Sequence, residues 1–136
     1  MPKSIAVREY MRTPRTVKQS ATVAEAAQVI IENRISGIVV VDNAGKLVGM
    51  LSELDCMQAI VSTVYNGGNP GAESVTEVMT KEVAVNHPGE DIITVAAEML
   101  KHKHRRRPIV DNGKLVGQIS CRQLLLAIND FGGNKN

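Results

Sequence analysis

Apolar positions in this chain run at helical spacing, then as a short unbroken stretch, then along a returning strand, then at helical spacing again, and this order occurs twice. In the first half, Ala26, Ala27, Ile30 and Ile31 share one face of a helix over Ala24 to Asn33. Thr22, with Glu25 three residues on, predicts its N-cap and capping box. Ile38 to Val41, bounded by Gly37 and Asp42, is too short for a helix and rich in β-branched residues, which predicts a buried strand. Asn43-Ala44-Gly45 supplies turn chemistry, and Leu47 to Leu51 predicts the strand that returns. Ser52 to Val64 then carries Leu54, Met57, Ile60, Val61 and Val64 at helical spacing. Ahead of this unit, Ser4 to Met11 predicts a short leading helix that Thr13-Pro14 stops, and Val17 sits in a brief extended segment.

The second half repeats the first. Val7 to Met11 corresponds to Val75 to Met79 at a shift of 68, and Ala27 to Ala96 and Asp42 to Asp111 follow at 69. Loss of one residue at Ala44 returns the shift to 68 for Gly49 to Gly117, Ser52 to Ser120 and Ile60 to Ile128. Two copies of so long a period indicate duplication of a subdomain, because a solenoid needs at least three repeats. The expected organisation is a first motif over 1–65 that includes the leading helix, an exposed Gly- and Asn-rich linker at 66–72, a second motif over 73–131 and a frayed tail at 132–136. Two such halves are expected to pack with approximate two-fold symmetry.

Composition narrows the function. The 136 residues suffice for one compact domain or two small fused halves, with a core of Val, Ile, Leu, Ala and Met, because aromatic residues make up only 2%. Few side chains are left on which nucleobases could stack. The net charge is +2, yet five of the 16 Lys and Arg residues fall between Lys101 and Arg107, so positive charge is concentrated at one place. The two cysteines, Cys56 and Cys121, make no paired metal or redox spacing and read as reduced thiols of a cytoplasmic protein. No apolar run approaches the ~20 residues that span a bilayer. No Walker phosphate loop, nucleophile elbow, His-Glu-x-x-His or dinucleotide glycine fingerprint is present, so catalysis finds little support.

Three places could carry chemistry. Ser52 and Asp55 put a hydroxyl and a carboxylate at a helix N-terminus, where a cap and a first-turn anion are the simplest explanation. A carboxylate there can also accept hydrogen bonds from ribose hydroxyls. Ser120 with Gln123 fits the capping explanation well, since a capping box takes Glu or Gln at its third position. The run Lys101 to Arg107 suits a helix C-terminus, but three arginines leading into a buried strand must turn at least one toward the interior or a cleft, and guanidinium groups suit phosphate. His87, His102 and His104 lack ligand spacing for a metal. Cys121 reads as a small packed thiol, and Met11, Met57, Met79 and Met99 read as core gap-fillers.

These residues carry a family resemblance. Val75-Thr76-Glu77-Val78-Met79-Thr80 leads the second half, Pro108-Ile109-Val110-Asp111 precedes Gly113-Lys114-Leu115-Val116-Gly117, and Gly49-Met50-Leu51-Ser52-Glu53-Leu54-Asp55 has the form glycine, two apolar, Ser or Thr, two variable, Asp. With nearly the whole chain covered, it resembles a tandem pair of cystathionine-β-synthase (CBS) domains, a Bateman module. The resemblance implies an α+β fold of two β-α-β-β-α motifs, each with a three-stranded sheet, and adenosine-containing ligands in clefts between the halves. It implies that Asp55 and Ser52 hold ribose or phosphate, that main chain near Thr16, Val17, Ile38 and Val39 faces adenine, that Ser120 is the second hydroxyl, and that His104, Arg105 and Arg106 contact phosphates. The chain departs from the family at Gln123 in place of a second Asp, at Val39 where the other half has Pro108, and at Arg107 in place of an apolar residue, which makes the second site empty or altered in preference.

The resulting expectation is a stand-alone cytoplasmic regulatory module, not an enzyme. It would bind an adenine nucleotide (AMP, ADP or ATP) as regulatory ligand and need no cofactor. It would form a homodimer, as family members commonly do, and signal to a protein the sequence does not identify. Three alternatives stay open: another adenosyl ligand, a ligand-independent interaction module in which Ser and Asp only cap helices, and nucleic-acid binding through Lys101 to Arg107.

Overall fold

The computed structural model describes residues 5–130. Ser4 and the tail at 132–136 lie outside the described residues. The chain forms two compact units, one of residues 15–83 and the other of the described residues 5–14 together with 84–130.

In the first unit, β1 (Thr16–Lys18), β2 (Gly37–Val41) and β3 (Leu47–Ser52) form one sheet, with β1 parallel and β3 antiparallel to β2. β2 is buried at every position, as an unbroken β-branched run requires. Helix α1 (Val23–Asn33) starts with the expected capping box and stops at Arg34, whose φ of 53° is left-handed. Helix α2 (Glu53–Tyr65) follows β3 without a gap, and a single turn, α3 (Val75–Val78), completes the unit. Val23, Ala26, Ile30, Ile38, Val40, Leu51, Cys56 and Val75 make the core.

The second unit holds α4 (Ile92–His102), the hairpin β4 (Arg106–Asp111) and β5 (Lys114–Ser120), and α5 (Cys121–Ile128). Its core is built from Val7, Ile92, Val95, Met99, Ile109, Ile119, Leu124 and Ala127. Asn112 and Gly113, both at positive φ (52° and 81°), close the hairpin tightly. The first hairpin spends one more residue, with Asp42 Oδ1 accepting from the Ala44 and Lys46 N–H groups. The one-residue change in repeat shift is therefore a change of turn.

Four expectations are corrected. The leading helix is a single 3-10 turn, Val7–Glu9, because the Val7 and Arg8 N–H groups are committed to Glu90 and Pro88 carbonyls and Arg12 pairs with Gln118. The second sheet has two strands, and its third member is reduced to a bridge between Asn86 and Ile109. In the first unit the Gln19 N–H extends the ladder to the Val41 carbonyl; the repeat places Pro88 there, which has no N–H to give. On α2, Leu54 and Met57 are 70% and 57% exposed and Val61 and Val64 also face solvent. Cys56 is the buried residue of that helix, flanked by Ala59 and Ile60. Finally, the 66–72 stretch is not wholly exposed. Gly71 is buried with φ +85°, its carbonyl accepts from Ala24, and a side chain on it would strike the Ala24 Cβ at 2.8 Å.

Each leading segment packs within the unit that contains the other repeat's hairpin. Met11 lies over Gly117 in one unit, and Met79 and Thr80 lie over Gly49 in the other. A Cβ on Gly117 would sit 2.5 Å from the Met11 Sδ, and one on Gly49 would sit 2.9 Å from the Thr80 carbonyl oxygen. The glycine of the repeated motif is thus required by packing of the leading segment, before any ligand is considered.

Candidate functional site

Ser52 ends β3 and caps α2, so the last residue of a strand is the first support of a helix. The Asp55 N–H donates to Ser52 Oγ at 3.0 Å, and the Ser52 N–H donates to Asp55 Oδ2 at 2.9 Å. Both halves of a capping box are therefore made by an aspartate. The box uses Oδ2, and the half-buried carboxylate keeps its second oxygen as an acceptor.

The same unit holds the other first-half candidates in the sheet whose last strand ends at Ser52. In the register of the sheet Ser52 stands opposite Gly37, Ile38 opposite Leu51, and Val39 between Met50 and Thr16. The Glu53 N–H donates to the Ser36 carbonyl at 2.9 Å, which ties the start of α2 to the start of β2. Thr16 is exposed, Val17 is half-buried, and Ile38 and Val39 are buried, so the last two can offer a ligand only main chain. Cys56, next along α2, has its thiol pKa raised, mainly by burial and further by Asp55, which keeps it a neutral packing group.

The second unit assembles Ser120, His104, Arg105 and Arg106 in the corresponding place. Ser120 stands opposite Arg106, and the Cys121 N–H donates to the Arg105 carbonyl at 3.0 Å. The Gln123 N–H donates to Ser120 Oγ at 3.3 Å and the Ser120 N–H to Gln123 Oε1 at 2.8 Å, so this box is complete as well. The exposed Cys121, expected to be packed, donates its thiol to the His104 carbonyl at 3.6 Å. An open groove of about 720 Å³ beside α5 is lined by Arg12, Arg122, Gln123, Leu125, Leu126 and Asn129.

Arg107 is the arginine that turns inward. It is 5% exposed, and Nη1 donates to Glu98 Oε1 at 3.1 Å and to Asn86 Oδ1 at 3.2 Å. Asn86, also buried, donates to Glu90 and Glu98. Burial pushes the Glu90 carboxyl upward, but hydrogen bonds from Asn86 and His87 together outweigh it and hold the group below the usual carboxylate value. This network was missed by sequence reasoning, although a buried-strand position occupied by Arg was its signal. His104 has its pKa lowered, chiefly by burial and then by Arg107 and His102. Among the described residues no group of three His, Cys, Asp or Glu could hold a metal ion, and no helix is long and apolar enough to cross a membrane.

Comparison with known proteins agrees with this architecture. The chain is 33% identical over 127 residues to the CBS domain-containing protein YhcV of Bacillus subtilis, covering 93% of this chain and 86% of that one. It is 30% identical over 120 residues to the protein MJ1225 of Methanocaldococcus jannaschii, and spans 41% of that protein's length and 22% of an L-aspartate semialdehyde sulfurtransferase from the same organism. Among solved structures it resembles CBSX2 in complex with AMP (TM-score 0.79, 27% identity, 92% of this chain and 96% of that one). It also resembles the CBS domain pair of MJ0100 in complex with 5'-methylthioadenosine and S-adenosyl-L-methionine (TM-score 0.76, 27% identity, 98% and 100%). The family model for the CBS domain matches twice, over residues 7–62 and 75–130, one match to each repeat, and the chain belongs to the CBS-domain family.

Proposed function

We propose that this chain is a cytoplasmic regulatory module, without catalytic activity of its own, that binds an adenine nucleotide and signals to a partner protein. One observation supports the reading: Asp55 completes a helix cap with one carboxylate oxygen and keeps the other, half-buried, as an acceptor that ribose hydroxyls would fill. Ser52 and the main chain of Thr16, Val17, Ile38 and Val39 would complete the nucleoside-binding set, and these residues share one sheet whose last strand leads into the helix that carries Asp55. The second motif, with Gln123 in place of the carboxylate and with His104, Arg105 and Arg106 close to Ser120, is suited to phosphate rather than ribose. The bound AMP of CBSX2 supports this ligand class, and the ligands of the MJ0100 pair favour a second reading, an adenosyl thioether or sulfonium.

A homodimer is part of the proposal. Leu54, Met57, Val61 and Val64 on α2 and Leu125 and Leu126 on α5 leave apolar faces exposed, which a second copy would cover. Light scattering should give twice the chain mass, and Val61→Glu should reduce it to the monomer.

Thermal melts with AMP, ADP, ATP, S-adenosylmethionine and NAD test the ligand. A ligand at 100 times its Kd stabilises the fold by about 2.7 kcal/mol, so one adenosine ligand should raise the Tm of the wild type and raise that of Asp55→Asn by about half as much or less. No shift with any of them would remove the reading.

A further inference from the structure

We propose that Arg107 is a positioning residue that fixes His104 as the neutral imidazole protonated on Nε2, and that the turn between α4 and β4 is thereby made sensitive to acid. Arg107 Nε donates to His104 Nδ1 at 3.2 Å. A guanidinium has only donors, so Nδ1 must present its lone pair and the single ring proton must sit on Nε2. Arg107 cannot turn away, because it is buried and Nη1 is shared between Glu98 and Asn86. An imidazolium, with donors on both nitrogens, has no place in this arrangement.

The surrounding groups all oppose a proton on His104 or are already engaged. Arg107 faces it from β4 and His102 from the end of α4, where the two imidazole rings stack with centroids 5.5 Å apart. Glu98 of α4 reaches this site through Arg107, not through the imidazole. At the start of α5, Cys121 touches the His104 carbonyl and not its ring. The His104 N–H donates to the Met99 carbonyl at 2.9 Å after Lys103 has turned the chain at φ 58°. The imidazole–guanidinium bond thus links the end of α4 to the buried strand.

The sign follows from burial first and then from Arg107 and His102, which hold the folded-state pKa below the ordinary histidine value of 6.5. In the unfolded chain His104 takes up its proton near that value, while the folded chain resists it. Stability is therefore full above the ordinary value and is lost as pH falls toward the folded-state pKa, by up to about tenfold in the folding constant per pH unit. Below the folded-state pKa the loss stops.

His104 is also a residue of the nucleotide reading above, but the inference rests on ligand-free geometry and is tested without nucleotide. Long-range proton–nitrogen spectra of the full chain should show His104 bare on Nδ1 and protonated on Nε2 near neutral pH, with a midpoint below the ordinary value. Arg107→Lys, which removes the Nε donor, should raise that midpoint and mix the tautomers. His104→Gln keeps an acceptor for Arg107 without a titrating ring. It should flatten the fall in urea stability as pH drops below the ordinary histidine value. A proton on Nδ1, a midpoint at or above the ordinary histidine value, or an unchanged slope in His104→Gln would each overturn the proposal; the glutamine variant remains decisive even where Arg107→Lys does not fold.

Discussion

The helix starts at Ser52 and Ser120 solve one structural problem with different third residues. Asp55 and Gln123 each return a side-chain oxygen to the N–H of the preceding serine, at 2.9 and 2.8 Å, and each donates its own N–H to the serine hydroxyl. The cap alone therefore does not explain why one residue is charged. The strands opposite differ in the same sense: Gly37 faces Ser52 across the first hairpin, and Arg106 faces Ser120 across the second. One copy gathers a carboxylate with small and apolar neighbours, the other gathers cations. Duplication preserved the scaffold, and the chemistry diverged on it.

Substitutions that strike one copy can break this comparison. The largest effect is expected in the second unit, where Glu98→Ala removes the carboxylate that neutralises buried Arg107. Breaking a fully buried pair costs about 3–5 kcal/mol. The Glu98 side chain is 43% exposed, so water can replace part of the loss, and about 2–3 kcal/mol in urea denaturation is expected. Gly49→Ala should follow at about 2 kcal/mol, within the range for overpacking, because its neighbour at 2.9 Å is the Thr80 main-chain carbonyl. Gly117→Ala should cost less, about 1 kcal/mol, since only the flexible Met11 side chain has to give way. Equal costs at the two glycines would mean that the leading segments are held alike.

Cap removal sharpens the comparison at smaller scale. Ser52→Ala and Ser120→Ala should each cost about 1 kcal/mol, the usual value for a lost N-cap, and the two melts should shift alike. A loss confined to Ser52 would tie its hydroxyl to something other than the cap.

The repeat made most of the fold legible. A capping box at Thr22 and Glu25, the buried run before Asp42 and the hairpin after it all follow from local chemistry, and each is present. The α2 face was misread because that helix is apolar on more than one side, so spacing alone could not choose between Leu54 and Cys56 as the inward residue. The first leading segment was misread because its backbone is spent on pairing with distant residues such as Glu90 and Gln118, which periodicity does not register. At the site, the cap geometry was legible from serine and the residue three along. The Arg107, Asn86 and Glu98 network was not, because its members are separated by up to 21 residues and only folding brings them together.

Substitution at Asp55 should have the smallest effect on ligand-free stability and the most direct bearing on function. Asn at this position can still accept from the Ser52 N–H, so the Asp55→Asn fold should melt as the wild type does, while the charged acceptor is gone. Hydrogen bonds to a charged group contribute about 1.5–3 kcal/mol, which corresponds to a roughly 10- to 100-fold loss of affinity. Titration calorimetry with AMP and ATP on the wild type, Asp55→Asn and Gln123→Asp is the decisive measurement. The account predicts binding by the wild type, a loss of at least about tenfold in Asp55→Asn and a gain of binding in Gln123→Asp. Equal affinity in the wild type and Asp55→Asn would contradict it.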